Sequence, residues 1–497
     1  MSPYTRLEAA FARAAILNET LGVLHWDTET MMPKGAIAGR SDQLATLEEM
    51  SHEIIAAPRV GEMLAEAEEG AAGLTEWQAA NLREMRRAHV RAVAIPADLL
   101  VAATKANAVC QHVWQEARPA NDFAAVKPHL AEVIRLQRAV GAALGASLDL
   151  SPYDALLDQY DPGARQDSID ALFAPLRAAL PELIRAVVEK QRAAPAPEPL
   201  PKPFPVAAQQ ALCRMLLDTI GFDFDHGRLD VSAHPFSGGS FGDIRVTTRY
   251  SEDVLFPALF ATIHEGGHAL YEQGRPAAWR HQPVGLAKGM AVHESQSMII
   301  EWQAGKSAEF LGFLFPKIRE AFGGDGPAWS DGNLMALARR VEPGLIRVDA
   351  DELTYPAHIL VRFGIERALI AGELAVDDLP AAFNEAVAGL LGVTVPDDRR
   401  GCLQDIHWHG GAYGYFPMYL VGAMTAAQLF AAAVEADPAL RPALAEGDFR
   451  PLVAWLRTHI HSRGSAVDRE TLVCDATGAP TGADRFLTHL RARYLDS

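Results

Sequence analysis

At 497 residues and 49% hydrophobic side chains, the chain can bury a large core, enough for roughly one to three domains. Its 45 basic and 63 acidic side chains give a formal net charge of −18, which argues against nucleic acid or an anionic membrane as partner. The four cysteines (Cys110, Cys213, Cys402 and Cys474) are scattered, with no C-x-x-C pair, and read as reduced packing residues of a cytoplasmic protein.

In chain order, the first residues lack a basic stretch followed by an apolar core, so no export signal is expected. Helical texture, with apolar residues every three to four positions, covers 7–17, 36–55, 75–89, 122–144 and 168–191. Asn121 or Asp122 and Ser168 are candidate N-caps. The stretch from Trp26-Asp27 to Pro33 reads as a turn-like break between early helices, with Asp27 available as a cap. Pro195, Pro197, Pro199, Pro201, Pro203 and Pro205 alternate along 195–205 and impose an extended segment. That segment is either a domain linker or a connector laid over one helical body. The second reading is preferred, because helices of similar character resume at Ala207.

One region has strand character. Ile244, Val246 and Thr248 alternate, and Ser-Gly-Gly-Ser at 237–240 supplies a turn before them. A sheet edge here could hold an extended peptide by main-chain hydrogen bonds, although a purely structural hairpin fits as well. The longest apolar stretch, 418–434, is interrupted by Thr425 and Gln428 and reads as a core helix rather than a membrane span.

The most informative residues are His264-Glu265-Gly266-Gly267-His268. Histidines four apart stand one above the other on a helix, where both imidazoles can grip one metal ion. The intervening glutamate points beside the metal and can take a proton from a water, the arrangement of zinc sites that hydrolyse peptide bonds. The flanking residues are apolar almost all round, so the helix is buried and its imidazoles need partners. Two glycines inside a helix each cost about 1 kcal/mol relative to alanine, which fits a site where another backbone approaches closely.

Catalytic zinc wants a third protein ligand. Glu294, 26 residues after His268, sits among Met290, Ala291, Val292, Met298 and Ile299, where an unpaired acid would be costly. Glu301 is the weaker candidate, and His293 suits support of a ligand better than ligation. Further on, Arg347 offers a planar fork for a carboxylate, either Asp349 or Asp351 or the free C-terminus of a substrate. The glycine-rich stretch 401–417 carries His407, Tyr413 and Tyr415, possible donors to an oxyanion.

Six blocks then occur in order: His-Pro-Phe (234–236), Asp-x-Arg-x-Thr (243–247), His-Glu-x-x-His (264–268), His-Glu-Ser-Gln-Ser (293–297), Ile-Arg-x-x-Ala-Asp (346–351) and Gly-x-x-Gln-Asp-x-His-Trp (401–408). With them, and with Trp26-Asp27 and the following Met-Pro, the chain resembles the carboxypeptidase Taq family of thermostable-type metallocarboxypeptidases along nearly its whole length. Gly266 departs from the bulkier residue often found there, which leaves the ligands intact and alters the local helix packing.

The resemblance implies a mostly α fold: one helical body spanning 1–497 with a deep, neurolysin-like substrate groove and a small antiparallel sheet beside the His-Glu-x-x-His helix. It implies His264, His268 and Glu294 as metal ligands and Glu265 as general base. His407 and Tyr415 become transition-state donors, with Arg347, His234, Arg245 and Tyr413 as substrate contacts. It also implies Zn2+, replaceable by Co2+ or another divalent ion, and a cytoplasmic homodimer. The expected activity is removal of single C-terminal residues from peptides, with broad preference. The competing expectations are an oligopeptidase cutting inside short peptides and a non-catalytic helical peptide-binding protein.

Overall fold

The first helix, Pro3–Thr30, begins where its residues say it should. Ser2 accepts the Thr5 N–H and Pro3 occupies the first turn, where its missing N–H costs nothing. Trp26 and Asp27 do not break it. The helix runs through both and stops only ahead of Pro33, which disfavours helical geometry at Met32. Asp27 pairs through its side chain with Arg40 at 2.6 Å rather than capping a helix start.

The computed structural model describes residues 1–496, with twenty α-helices and one three-stranded sheet among them. Asp122 caps Phe123–Leu148 by accepting the Ala125 N–H, while Asn121 closes the preceding helix in a left-handed conformation. Ser168 is not a cap, because its helix starts two residues earlier, at Gln166. The proline segment lies extended along the body. Asn333 and Glu198 exchange hydrogen bonds, and Phe204 N–H donates to Glu252 O at 2.9 Å. One large apolar cluster includes Val187 before this segment, the buried Phe204 within it and Leu212 after it.

A second, smaller cluster joins Tyr4, Leu7, Phe11, Val60, Leu64, Ala67, Leu82 and Met85 of the N-terminal helices. Buried Asn81 ties it to the rest, donating to Gln282 Oε1 and accepting from Val284 N–H. All four cysteines are free thiols.

The sheet stands beside the His-Glu-x-x-His helix, but it is mixed rather than antiparallel. Strand β1 (Gly227–Val231) runs parallel to β3 (Asp243–Thr248), and β2 (Ser237–Ser240) pairs antiparallel on the other side of β3. Ser-Gly-Gly-Ser is thus itself a strand, and the turn falls at Phe241-Gly242. The cause is a side-chain clamp. Ser232 Oγ and the Phe236 N–H both donate to Thr247 Oγ1, which carries the 232–236 segment across β3 to its far edge.

Two helices position the site. Phe256–Gln273 is buried on nearly every side, as its composition requires. Gly289–Met298 packs across it and continues into a π-helical segment, Ile299–Gly305, with i→i+5 hydrogen bonding. A Cβ on Gly267 would lie 2.5 Å from Gln296 O, so that glycine is where the two backbones meet. On the opposite side, a Cβ on Gly422 of Phe416–Ala436 would lie 2.7 Å from Glu294 Cβ. The Glu294 segment is therefore clamped between two glycine faces. Phe416–Ala436 is long and apolar enough to cross a membrane, but 78% of its apolar window is buried inside the protein.

Candidate active site

His264 and His268 stand one turn apart, ring centroids 5.1 Å from each other. Their Nε2 atoms lie 3.8 and 3.6 Å from Glu294 Oε2, and one ligand atom from each of the three residues falls within 4.8 Å of the others. Glu294 is 3% exposed and meets the two imidazoles and Ser297 Oγ. Burial raises its pKa, and the charge on His264 only partly opposes this. A buried carboxylate facing two ring nitrogens is a donor set that a divalent cation completes.

The outer ring nitrogens are already engaged, which aims Nε2 of each histidine inward. His264 Nδ1 donates to Glu301 Oε2 at 2.9 Å, and Lys306 Nζ holds the other oxygen of that carboxylate at 2.7 Å. His268 Nδ1 lies 2.6 Å from His293 Nδ1, and His293 Nε2 lies 3.0 Å from Glu272 Oε1. Glu272 can only accept. His293 therefore donates from Nε2 and receives the His268 Nδ1–H, leaving the His268 Nε2 lone pair free for a metal. Glu301 and His293 thus both contact the imidazoles from outside the His264–His268–Glu294 group. Burial holds the His268 pKa well below its ordinary value.

Glu265 shares the buried helix. Burial pushes its carboxyl up to about 7, with His264 opposing and Glu294 adding to the rise. A carboxylate near neutrality gives up and takes back a proton with little driving force lost in either direction. A cavity of about 440 Å³ borders Glu272 and His293 and is walled by β2 and by Phe11 and Asn18 of the first helix.

On the other side of Glu294 lies a charged and aromatic cluster. Arg347 is buried and donates to Asp405 Oδ2 at 2.6 Å and to Tyr355 Oη at 3.3 Å. Its partner is thus Asp405, neither Asp349 nor Asp351. Asp351 instead accepts the backbone N–H groups of Glu342, Leu353 and Thr354. Asp405 also receives Arg362 at 3.3 Å and His407 Nδ1 at 2.6 Å. Burial would raise this carboxyl, but the His407 hydrogen bond and the two guanidiniums outweigh it and hold it well below the usual range. Two guanidiniums on one carboxylate leave the cluster with surplus positive charge.

His407 packs against Tyr415 at 5.7 Å and Phe416 at 4.6 Å between ring centroids. Burial raises the Tyr415 phenol, and Glu294 adds to the rise, which puts Tyr415 within electrostatic reach of the ligand set. Tyr413 is not brought there. Its hydroxyl is buried near Glu366, Cys110 and Arg138, because the loop turns through Gly414. Arg245 is engaged by Asp243 at 2.6 Å and lies 4.3 Å over the Trp26 ring, and His234 is exposed. Neither has a contact with the histidine–glutamate group.

Sequence reading passed over Asp405, Arg362, Tyr355 and Tyr419. Tyr419 sits one helical turn beyond Tyr415, ring centroids 5.1 Å apart, a spacing that the sequence carries openly. Arg362 interrupts an otherwise apolar run, which also marks it.

A histidine–histidine–glutamate group able to hold a metal ion, with an adjacent carboxylate on the same helix in a mostly helical body, defines a metallopeptidase. The chain belongs to the carboxypeptidase Taq (M32) metallopeptidase family, whose model matches residues 6–494, and it is a metallocarboxypeptidase. It is 40% identical to thermostable carboxypeptidase 1 of Thermus thermophilus, with 97% of each chain covered. Among solved structures, metallocarboxypeptidase 1 of Trypanosoma cruzi superposes with a TM-score of 0.97 at 40% identity, covering 99% of both chains. The M32 carboxypeptidase of Deinococcus radiodurans gives 0.93 at 34% identity, again covering 99% of both.

Proposed function

We propose that the protein is a zinc carboxypeptidase that removes single C-terminal residues with broad preference, and that it works as a cytoplasmic homodimer. His264, His268 and Glu294 hold the metal. When bound, a divalent ion supplies Lewis acidity that polarises the scissile carbonyl and makes a water nucleophilic near neutral pH. Glu265 takes a proton from the attacking water and hands it to the departing amine nitrogen, so the base is restored within each cycle. His407 is held on Asp405 through Nδ1, which leaves Nε2 as its atom available to substrate. It and Tyr415 donate to the oxygen on which charge develops.

The observation that carries exopeptidase action is the surplus positive charge of the Arg347–Arg362–Asp405 cluster beside Glu294. Such a cluster favours a substrate end that is itself a carboxylate, and it fixes the cut one residue from that end. A timed digest of one unblocked peptide, read by mass spectrometry beside its C-terminally amidated twin, tests this. Stepwise loss of end residues from the free acid alone is expected. Equal cleavage of both peptides at internal bonds would refute it. Glu265→Gln is expected to abolish turnover with the metal still bound.

A further inference from the structure

Glu366, on the helix Tyr355–Ala371, is fully buried, and among the described residues no lysine or arginine lies within ion-pair distance of it. Three donors converge on it instead. Trp408 Nε1 reaches Oε1 at 2.9 Å, while the Gly414 N–H at 3.0 Å and Tyr153 Oη at 2.8 Å both reach Oε2.

Two of these donors come from the loop that carries the donors to substrate. Trp408 is the residue after His407, and Gly414 is the residue before Tyr415. The intervening segment contains Gly410 and Gly411 and forms no regular element, so by itself it has wide conformational freedom. A carboxylate suits this cage better than an amide. A glutamine oxygen could still serve Gly414 and Tyr153, but its NH2 would face the indole N–H, donor against donor.

We infer that Glu366 is a positioning residue for catalysis: one buried carboxylate holds His407 and Tyr415 at their working positions by gripping the chain neighbour of each. The inference rests on the role given above to those two side chains.

The test uses the full-length, metal-loaded enzyme and follows kcat, KM and bound metal on one unblocked peptide. Because the two donors act on the transition state, Glu366→Ala is expected to lower kcat about 10- to 100-fold, the cost of a roughly 1 Å misplacement. KM and metal content are expected to stay within about threefold of the parent, as is the activity of Tyr153→Phe, which removes no loop contact.

Double-mutant cycles supply the readout that a general packing defect would not move. The Glu366→Ala loss should largely vanish in a Tyr415→Phe, His407→Ala background. The Glu366→Gln loss should vanish in His407→Ala but persist in Tyr415→Phe. Full additivity, or a parental kcat in Glu366→Ala, would overturn the inference. Should the alanine variant fail to fold, Glu366→Gln decides: a parental kcat overturns the inference, and a loss coupled to His407 supports it. If neither donor substitution changes kcat, the donor assignment falls, and the inference falls with it.

Discussion

Replacing Gly267 by alanine adds one methyl group at the crossing of the two helices that carry His264, His268 and Glu294. Its Cβ would lie 2.5 Å from Gln296 O and 2.7 Å from Ser297 Cα, and ordinary contact begins at 3.4 Å. Both obstacles are backbone, so no rotamer change relieves them. The helices must separate by 3.4 − 2.5 = 0.9 Å at that point. Glu294 lies two residues from Gln296, and metal–ligand distances tolerate only about 0.2 Å.

The expected loss is about 10- to 100-fold in Zn2+ affinity, the size found when groups supporting a ligand are disturbed. Overall stability should change less: overpacking costs about 1–3 kcal/mol, and alanine's better helix propensity returns about 1 kcal/mol. Gly266→Ala is the matched control. Its Cβ would meet the tips of Ile220 at 2.5 Å and Leu217 at 2.8 Å, and side-chain ends can swing aside. Competition against a chromophoric chelator measures both affinities. Parental zinc affinity in Gly267→Ala, or an equal loss in Gly266→Ala, would refute this account of the crossing.

Glu301→Gln removes the anionic acceptor on His264 Nδ1 and is expected to weaken metal binding about tenfold, read by the same chelator titration. Arg347→Lys loses the planar fork, so KM for a free-acid peptide should rise about 10- to 100-fold while the amidated peptide is little affected. An unchanged acid-to-amide preference would contradict the role given to Arg347. Glu352 is buried, which alone would raise its pKa. The charges of Arg493 and His489, with the His489 hydrogen bond, outweigh burial and hold it well below the usual carboxylate range. Its contribution to stability is therefore present above the unfolded value of about 4.3 and is lost as pH falls through the depressed folded value. Glu352→Gln is expected to cost about 3 kcal/mol in urea unfolding at pH 7. That gap should narrow below about pH 4, and a constant gap would show that the charge is irrelevant.

What the sequence reveals best is governed by local rules. Four-residue spacing on a helix brings His264 and His268 to one side whatever surrounds them, and an acid amid Met290–Ile300 must find a partner. The mostly helical body follows from composition and periodicity in the same way. What stays hidden depends on long-range pairing or on loop path. Arg347 chooses Asp405, 58 positions away, over Asp349 and Asp351, because backbone N–H groups have already taken Asp351. The parallel pairing of β1 depends on a hydroxyl clamp between Ser232 and Thr247, which strand propensity does not register. Tyr413 and Tyr415 look equivalent on the page, and only the turn at Gly414 sends one towards Cys110 and the other towards Glu294.

The wide turn at 299–305 has a consequence for insertions and deletions. Its extra residue per turn sets the angular offset between Glu294 and Glu301, so each carboxylate meets its own imidazole atom. Deleting a residue ahead of Glu301, at 299 or 300, would change that offset and carry Glu301 off His264 Nδ1, with Glu294 upstream left in place. Substitutions that keep the count spare that offset. Number of residues, more than their identity, is the constrained quantity in this stretch.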